Sequence, residues 1–134
     1  MNQKYLIYLD VCCLNRPFDD QTQLRIKLES QAILEIITYC QSGEWELINS
    51  TVLESEIAQT PNHKRKEEIL EYLLLAKQKI LITPEIIKKA KQLTSLGVKN
   101  FDALHLACAE NKADIFLTTD DRLLNKVVSF QDTI

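Results

Sequence analysis

Five carboxylates in this chain stand where chemistry could use them: Asp10, Glu56, Asp102, Asp120 and Asp121. Asp10 closes the apolar run KYLIYL, and the Asp120–Asp121 pair follows the apolar run DIFLT and two threonines. Asp102 opens a helical stretch, and Glu56 sits about a turn into a helix that follows WELI. Carboxylates gathered within a few ångströms either shift their pKa strongly or take up a cation. Oxygen-only donors suit Mg²⁺ or Mn²⁺, which keep waters and substrate phosphates in their shell. Such an ion polarises a phosphodiester and lowers the pKa of a bound water, so these parts serve hydrolysis of a nucleic-acid backbone.

Within each crowded pair the sequence favours one member. Glu54 and Glu56 project in different directions, and Glu56 is taken as the site residue. Asp121 is taken over Asp120, which is expected to cap the last helix and can also reach a metal or a water. The expected metal ligands are Asp10, Asp102 and Asp121, with Glu56 completing the catalytic set. His105 lies one turn after Asp102 and shares its face, so it either supports the site or is a satisfied structural histidine. Ser50 and Thr119 could each orient a carboxylate or water, and capping accounts for both equally well. Arg16 is a candidate phosphate contact, with plain solvation as the alternative. His105 and Cys108 form an i, i+3 pair with no second pair nearby, which argues against zinc.

These residues need a scaffold that brings distant segments together. Residues 4–9 are almost wholly apolar and rich in branched and aromatic types, as in a strand buried on both faces. Residues 15–21 read as a loop broken by Pro17, and helical spacing runs from a Thr22 cap to Gly43. A second strand at 45–48 leads into the capping run Asn49–Ser50–Thr51 and the helix carrying Glu56. A helix at 65–77 and a strand at 79–82 follow. Thr83 and Pro84 then fit the N-cap and first position of a helix that stops at Gly97. The remainder reads as a helix at 102–112, a strand at 114–118, a short helix at 121–127 and a possible last strand using Val127, Val128 and Phe130.

Strands alternate with helices and no hairpin turn joins two strands. The expectation is one α/β domain over 1–134, a three-layer α/β/α fold with a central parallel sheet of four to five strands. Ligand sites in such sheets form beyond the carboxyl ends of the strands, which is where the acids fall.

Four segments resemble the PIN-domain nucleases, and among them the VapC-type toxins of toxin–antitoxin pairs: YLDVCCL (8–14), NSTVLESEI (49–57), FDALHLACA (101–109) and FLTTDDRLL (116–124). In this match the family's four acids fall on Asp10, Glu56, Asp102 and Asp121, and its Ser and Thr on Ser50 and Thr119. The resemblance implies a Mg²⁺- or Mn²⁺-dependent endoribonuclease, usually homodimeric and held inactive by a cognate antitoxin. Two departures bear on rate and metal preference. Val11 and Cys12 stand where the family usually has Thr then Asn or Ser, and His105 stands where many members have Ile or Ala. The alternative is a catalytically degenerate PIN domain that binds RNA or protein.

Composition agrees with a soluble, cytoplasmic domain: 46% hydrophobic, 26% charged and a formal net charge of −3. Four clustered acids would leave the remaining surface slightly positive, so net charge does not exclude RNA. The N-terminus lacks the pattern of a secretory signal, no run is long enough to span a bilayer, and the four cysteines read as reduced thiols. With Gly43 and Gly97 as the only glycines, Rossmann and P-loop nucleotide sites are excluded. A haloacid-dehalogenase-like phosphatase fails because Cys12 occupies the place of its second Asp, and a response-regulator receiver fails because Thr83–Pro84 follows the third strand.

Overall fold

The computed structural model describes residues 4–130. Its centre is an all-parallel sheet of β1 (Leu6–Leu9), β2 (Glu46–Ser50), β3 (Gln78–Ile80) and β4 (Ile115–Leu117), in the order β3-β2-β1-β4. Seven α-helices flank it, giving the expected three-layer α/β/α architecture. Strand β1 pairs on one side with β2, Ile7 beside Leu47, and on the other with β4, Tyr8 beside Phe116. The chain thus builds outward from β1 through β2 to β3, then returns to add β4 on the opposite side. The reversal of winding lies at β1/β4, where loops leave in opposite directions and open a crevice.

Burial explains the strand compositions. Ile7, Tyr8 and Leu9 are all buried, as are Leu47 and Ile48, because helices cover both faces. Helices α1 (Val11–Asn15) and α3 (Thr51–Ile57) follow β1 and β2 with no intervening loop. Asp10 and Ser50 are their N-caps, accepting the Cys13 and Leu53 N–H groups, each at 2.9 Å. Helix α5 (Pro84–Ser95) starts as expected, with the Thr83 hydroxyl accepting from Ile86 N–H. It ends at Gly97 in the left-handed region (φ 98°), where Val98 N–H closes onto Leu93 O at 3.2 Å.

Several boundaries differ from the sequence reading. The stretch 15–21 is not a plain loop: α1 runs to Asn15 and a 3₁₀ turn spans Arg16–Phe18, tied down by the Arg65 guanidinium on Asp19 and on the Phe18 carbonyl. Helix α2 is Leu24–Gln41, and Thr22 does not cap it, because its hydroxyl donates to Asp20 at 2.6 Å. Helix α4 is His63–Leu73, capped by Asn62, and α6 is Asn100–Lys112, two residues earlier than expected. No fifth strand forms among the described residues. Helix α7 continues over Asp121–Phe130, since Leu123 and Val127 repeat at helical spacing and turn one face inward. All four cysteines are free thiols, Cys13 and Cys108 buried and Cys12 exposed.

Gly97 provides a direct check on this frame. A methyl group there would sit at positive φ and 3.0 Å from Lys126 Nζ. Gly97→Ala is expected to destabilise the domain by about 1 kcal/mol, read as a lower midpoint in thermal or urea unfolding.

Candidate active site

The reversal at β1/β4 decides which acids can meet. Asp10 caps α1 at the end of β1 and is only 4% exposed, its Oδ1 taken by the Cys13 N–H. Its own N–H donates to Leu117 O, tying it to the end of β4. Burial pushes the Asp10 carboxyl above the usual carboxylate range, and hydrogen bonds from Thr118 and Cys13 only partly offset that. Asp102, in the first turn of α6, makes no capping bond, which leaves its carboxylate for the crevice. It too is pushed up, first by burial and then by the charge of Asp120, with Asp10 and Glu56 adding smaller amounts. The Cys12 thiol senses the same charges: burial, Asp10, Asp120, Asp102 and Glu56 push it up to about 12, so it stays protonated. Asp10, Glu56, Asp102 and Asp120 therefore share one electrostatic neighbourhood.

Asp121 does not join them. Both its oxygens accept from Arg25 on α2, at 2.7 and 2.8 Å, and its carboxyl is held below the usual range by that guanidinium. Asp120 shares a cleft with Asp102, and it also caps α7 as expected, accepting from Arg122 N–H at 2.9 Å. Asp120 and Asp121 both line the neighbouring 620 Å³ cleft, Asp121 there as the partner of Arg25, since one residue along a helix turns a side chain by about 100°. Glu54 likewise turns outward, to Lys79 at 3.0 Å and Asn49 at 2.9 Å, leaving Glu56 as the member of its pair near the site. Arg16 is engaged internally by Glu29 at 2.8 Å and Asp19 at 3.1 Å, so it is not a free phosphate contact.

Glu56 is held from behind. Its Oε1 lies 2.6 Å from His105 Nε2, and His105 Nδ1 lies 2.6 Å from the Tyr8 hydroxyl. That hydroxyl is 2.8 Å from Ser50 Oγ, which accepts the Leu53 N–H. Tyr8, Ser50 and His105 are at most 1% exposed. Burial drives the tyrosine pKa far above its ordinary value, so Tyr8 is a neutral hydroxyl. His105 and Ser50 are thus satisfied buried groups that reach the site through Glu56. Tyr8 was missed by sequence reasoning, although a tyrosine in a strand buried on both faces must find a partner for its hydroxyl.

The donor chemistry fits a hard divalent cation better than a soft one. No three His, Cys, Asp or Glu side chains among the described residues form a group that could hold a metal ion. Mg²⁺ commonly binds through one or two carboxylates and retains water, so Asp10 and Asp102 suffice for a largely hydrated ion. The buried Thr119 hydroxyl lines the adjacent 620 Å³ cleft with Asp120 and has no hydrogen-bond partner among the described residues, which suits a hydrated ion or its water. A second cleft, of 170 Å³, places Lys99, Arg122 and Lys126 around Asp102 and Asp120. None of those three cations forms an ion pair among the described residues.

The PIN domain profile matches residues 7–128. The chain belongs to the PIN-domain family, a nuclease-type fold whose members are generally metal-dependent nucleases acting on nucleic acids. No curated protein and no solved structure is significantly similar to it. Among the described residues no helix is long and apolar enough to cross a membrane.

The raised carboxyls carry a pH signature. Their protonated forms are favoured by the fold, so the penalty is absent below the ordinary carboxylate range and appears as pH rises through the raised pKa. Metal-free protein should therefore lose stability between acidic and neutral pH. Asp10→Asn keeps the acceptor for Cys13 N–H while removing the charge, and is expected to raise the metal-free Tm at pH 7 by about 2–5 °C by differential scanning calorimetry. A lowered Tm would show that the carboxylate stabilises the fold as it stands.

Proposed function

We propose that the protein is a divalent-metal-dependent endoribonuclease, with Asp10, Glu56, Asp102 and Asp120 as its acidic set and Mg²⁺ or Mn²⁺ as its cofactor. The observation that carries this reading is the placement of acids at the sheet's reversal point: Asp10 ends β1 with its N–H on Leu117 of β4, Asp120 caps the helix that follows β4, and Asp102 shares a cleft with Asp120. Like charges at a crevice mouth are maintained at a stability cost that a bound cation offsets.

Asp10 and Asp102 would hold the ion, with Asp120 and the Thr119 hydroxyl beside it. When bound, a divalent cation there supplies positive charge to the phosphodiester and acidifies water. Glu56, fixed at one oxygen by His105, has its second oxygen free to orient the attacking water and accept its proton. Lys99, Arg122 and Lys126 line the cleft next to Asp102 and Asp120, where they would seat backbone phosphates and neutralise charge as the strand enters.

The toxin role follows the four-segment resemblance, and with it a cognate antitoxin that would cover this cleft. Helix α2 leaves Leu24 71% and Leu28 55% exposed, a pair at i, i+4 that supports an apolar contact between two copies of the chain. The exposed Cys12 thiol, in place of a hydroxyl or amide after the first acid, favours one second reading, a domain that binds RNA without cutting it.

Purified protein with Mn²⁺ should cleave single-stranded RNA, with loss on EDTA and recovery on adding metal. Asp10→Asn, Asp102→Asn and Asp120→Asn should each lower kcat/KM by at least about 100-fold, whereas Asp121→Asn should stay within about threefold of wild type. Retained RNA binding with no cleavage under any divalent ion would establish the binding-module reading instead. Arg122→Ala should raise KM and reduce the slope of log affinity against log salt by close to one phosphate contact. An unchanged slope would remove Arg122 from the RNA path.

A further inference from the structure

The chain of hydrogen bonds behind Glu56 has a direction that can be worked out atom by atom. Leu53 N–H donates to Ser50 Oγ, so that hydroxyl keeps its own proton to give away. The Tyr8 oxygen, 2.8 Å distant, can receive it, leaving the Tyr8 O–H to point at His105 Nδ1, 2.6 Å away. An imidazole that accepts at Nδ1 carries its proton on Nε2, and Nε2 faces Glu56 Oε1 at 2.6 Å. Every proton then has an acceptor and every acceptor a proton. Reversing the direction would need either a doubly protonated imidazole or a protonated Glu56, and it would leave the Ser50 hydroxyl proton with no acceptor among the described residues at a fully buried position. The chain therefore runs one way, from the α3 backbone to the carboxylate, and each bond polarises the next.

We propose that His105 is a positioning residue for the cleavage step: locked as the Nε2–H tautomer by Tyr8 and Ser50, it donates to Glu56 Oε1 and aims the opposite carboxylate oxygen at the crevice. This deepens the nuclease reading and rests on it for the role of Glu56. Three observations support it beyond mere packing. His105 is 1% exposed yet spends both ring nitrogens on partners from two other segments, β1 and α3. Asp102 lies one turn earlier on the same helix, so α6 sets the spacing between that carboxylate and the imidazole. Phe101 stacks near the ring at 6.4 Å and Tyr8 meets it edge-on at 5.7 Å, which hold the imidazole plane. A side chain free to rotate could not specify a carboxylate direction. This one is fixed at both ends.

The test separates this role from space filling and from the nuclease reading itself. In protein labelled with ¹⁵N-histidine, with His63→Gln used to assign the second signal, His105 should show the neutral Nε2–H pattern at pH 7. Tyr8→Phe, which keeps the ring but removes the O–H donor at Nδ1, should leave Nε2 protonated towards Glu56 and shift the Nδ1 signal as that nitrogen loses its hydrogen bond. A wild-type imidazole that is protonated on Nδ1, or that exchanges between tautomers, overturns the proposal whether or not RNA is cut. In the cleavage assay, His105→Leu should lower kcat by about 10- to 100-fold with KM little changed, and His105→Gln, which restores an N–H donor, should recover most of the loss. Equal activity in His105→Leu and wild type, or equal loss in the Leu and Gln variants with folding retained, would reduce His105 to a core residue. Absence of cleavage by the wild type would sink the nuclease reading, and the tautomer measurement would then decide this proposal alone.

Discussion

Burial of a carboxylate at the end of β1 is the constraint on which the rest of the site turns. Asp10 sits 4% exposed against the end of β4, and Asp102, itself pushed up by burial, feels the charges of Asp120 and Asp10. A fold selected for stability alone would place amides or apolar groups there. The arrangement survives because the scaffold around it is over-determined: the Asp10 N–H is bound to Leu117, its Oδ1 receives the Cys13 N–H, and Ile7, Tyr8 and Leu9 anchor the strand in the core. Rigid placement and electrostatic strain at one point are what a site prepared for a cation requires.

The same constraint explains how neighbouring acids divide their tasks. Adjacent or near-adjacent carboxylates multiply the repulsion where they crowd, and in each case a cation pairs with one of them. Arg25 draws Asp121 to α2, and Lys79 with Asn49 draws Glu54 to β3 and β2. Their partners Asp120 and Glu56 stay with the site. The surface ion pairs add little stability by themselves. Their effect is on direction, because each fixes which member of the pair faces inward.

The order of the strands was legible in the sequence because each is a short apolar run, and α3 and α5 have readable starts. Thr83–Pro84, Ser50 and Asp10 all cap where their chemistry says they should. The errors concentrate where local signals are weakest. Strands of three or four residues blur at their ends, and Val127 with Val128 resembles a strand as much as a helix until Leu123 is seen to share a face with Val127. Of the candidate acids, Asp121 is paired with Arg25 nearly a hundred residues earlier, a contact that no local pattern around the Asp120–Asp121 pair announces. The Tyr8–His105–Glu56 chain joins three segments that no local pattern connects.

Cys12 connects these strands of argument. At its position a hydroxyl or amide would donate to or orient groups in the crevice, and a thiol does this weakly. Because burial, and after it the surrounding acids, push it up to about 12, Cys12 remains neutral and adds no negative charge to a crowded site. It also offers no thiolate that would draw a soft metal in preference to a hard one. Orientation must then come from elsewhere, and two buried sources stand nearby: Thr118 and Cys13 on Asp10, and the hydrogen-bonded chain through His105 on Glu56. Support for the carboxylates thus comes from groups behind them, Thr118 and Cys13 on Asp10 and His105 on Glu56, while the neutral thiol at the crevice contributes little orientation of its own.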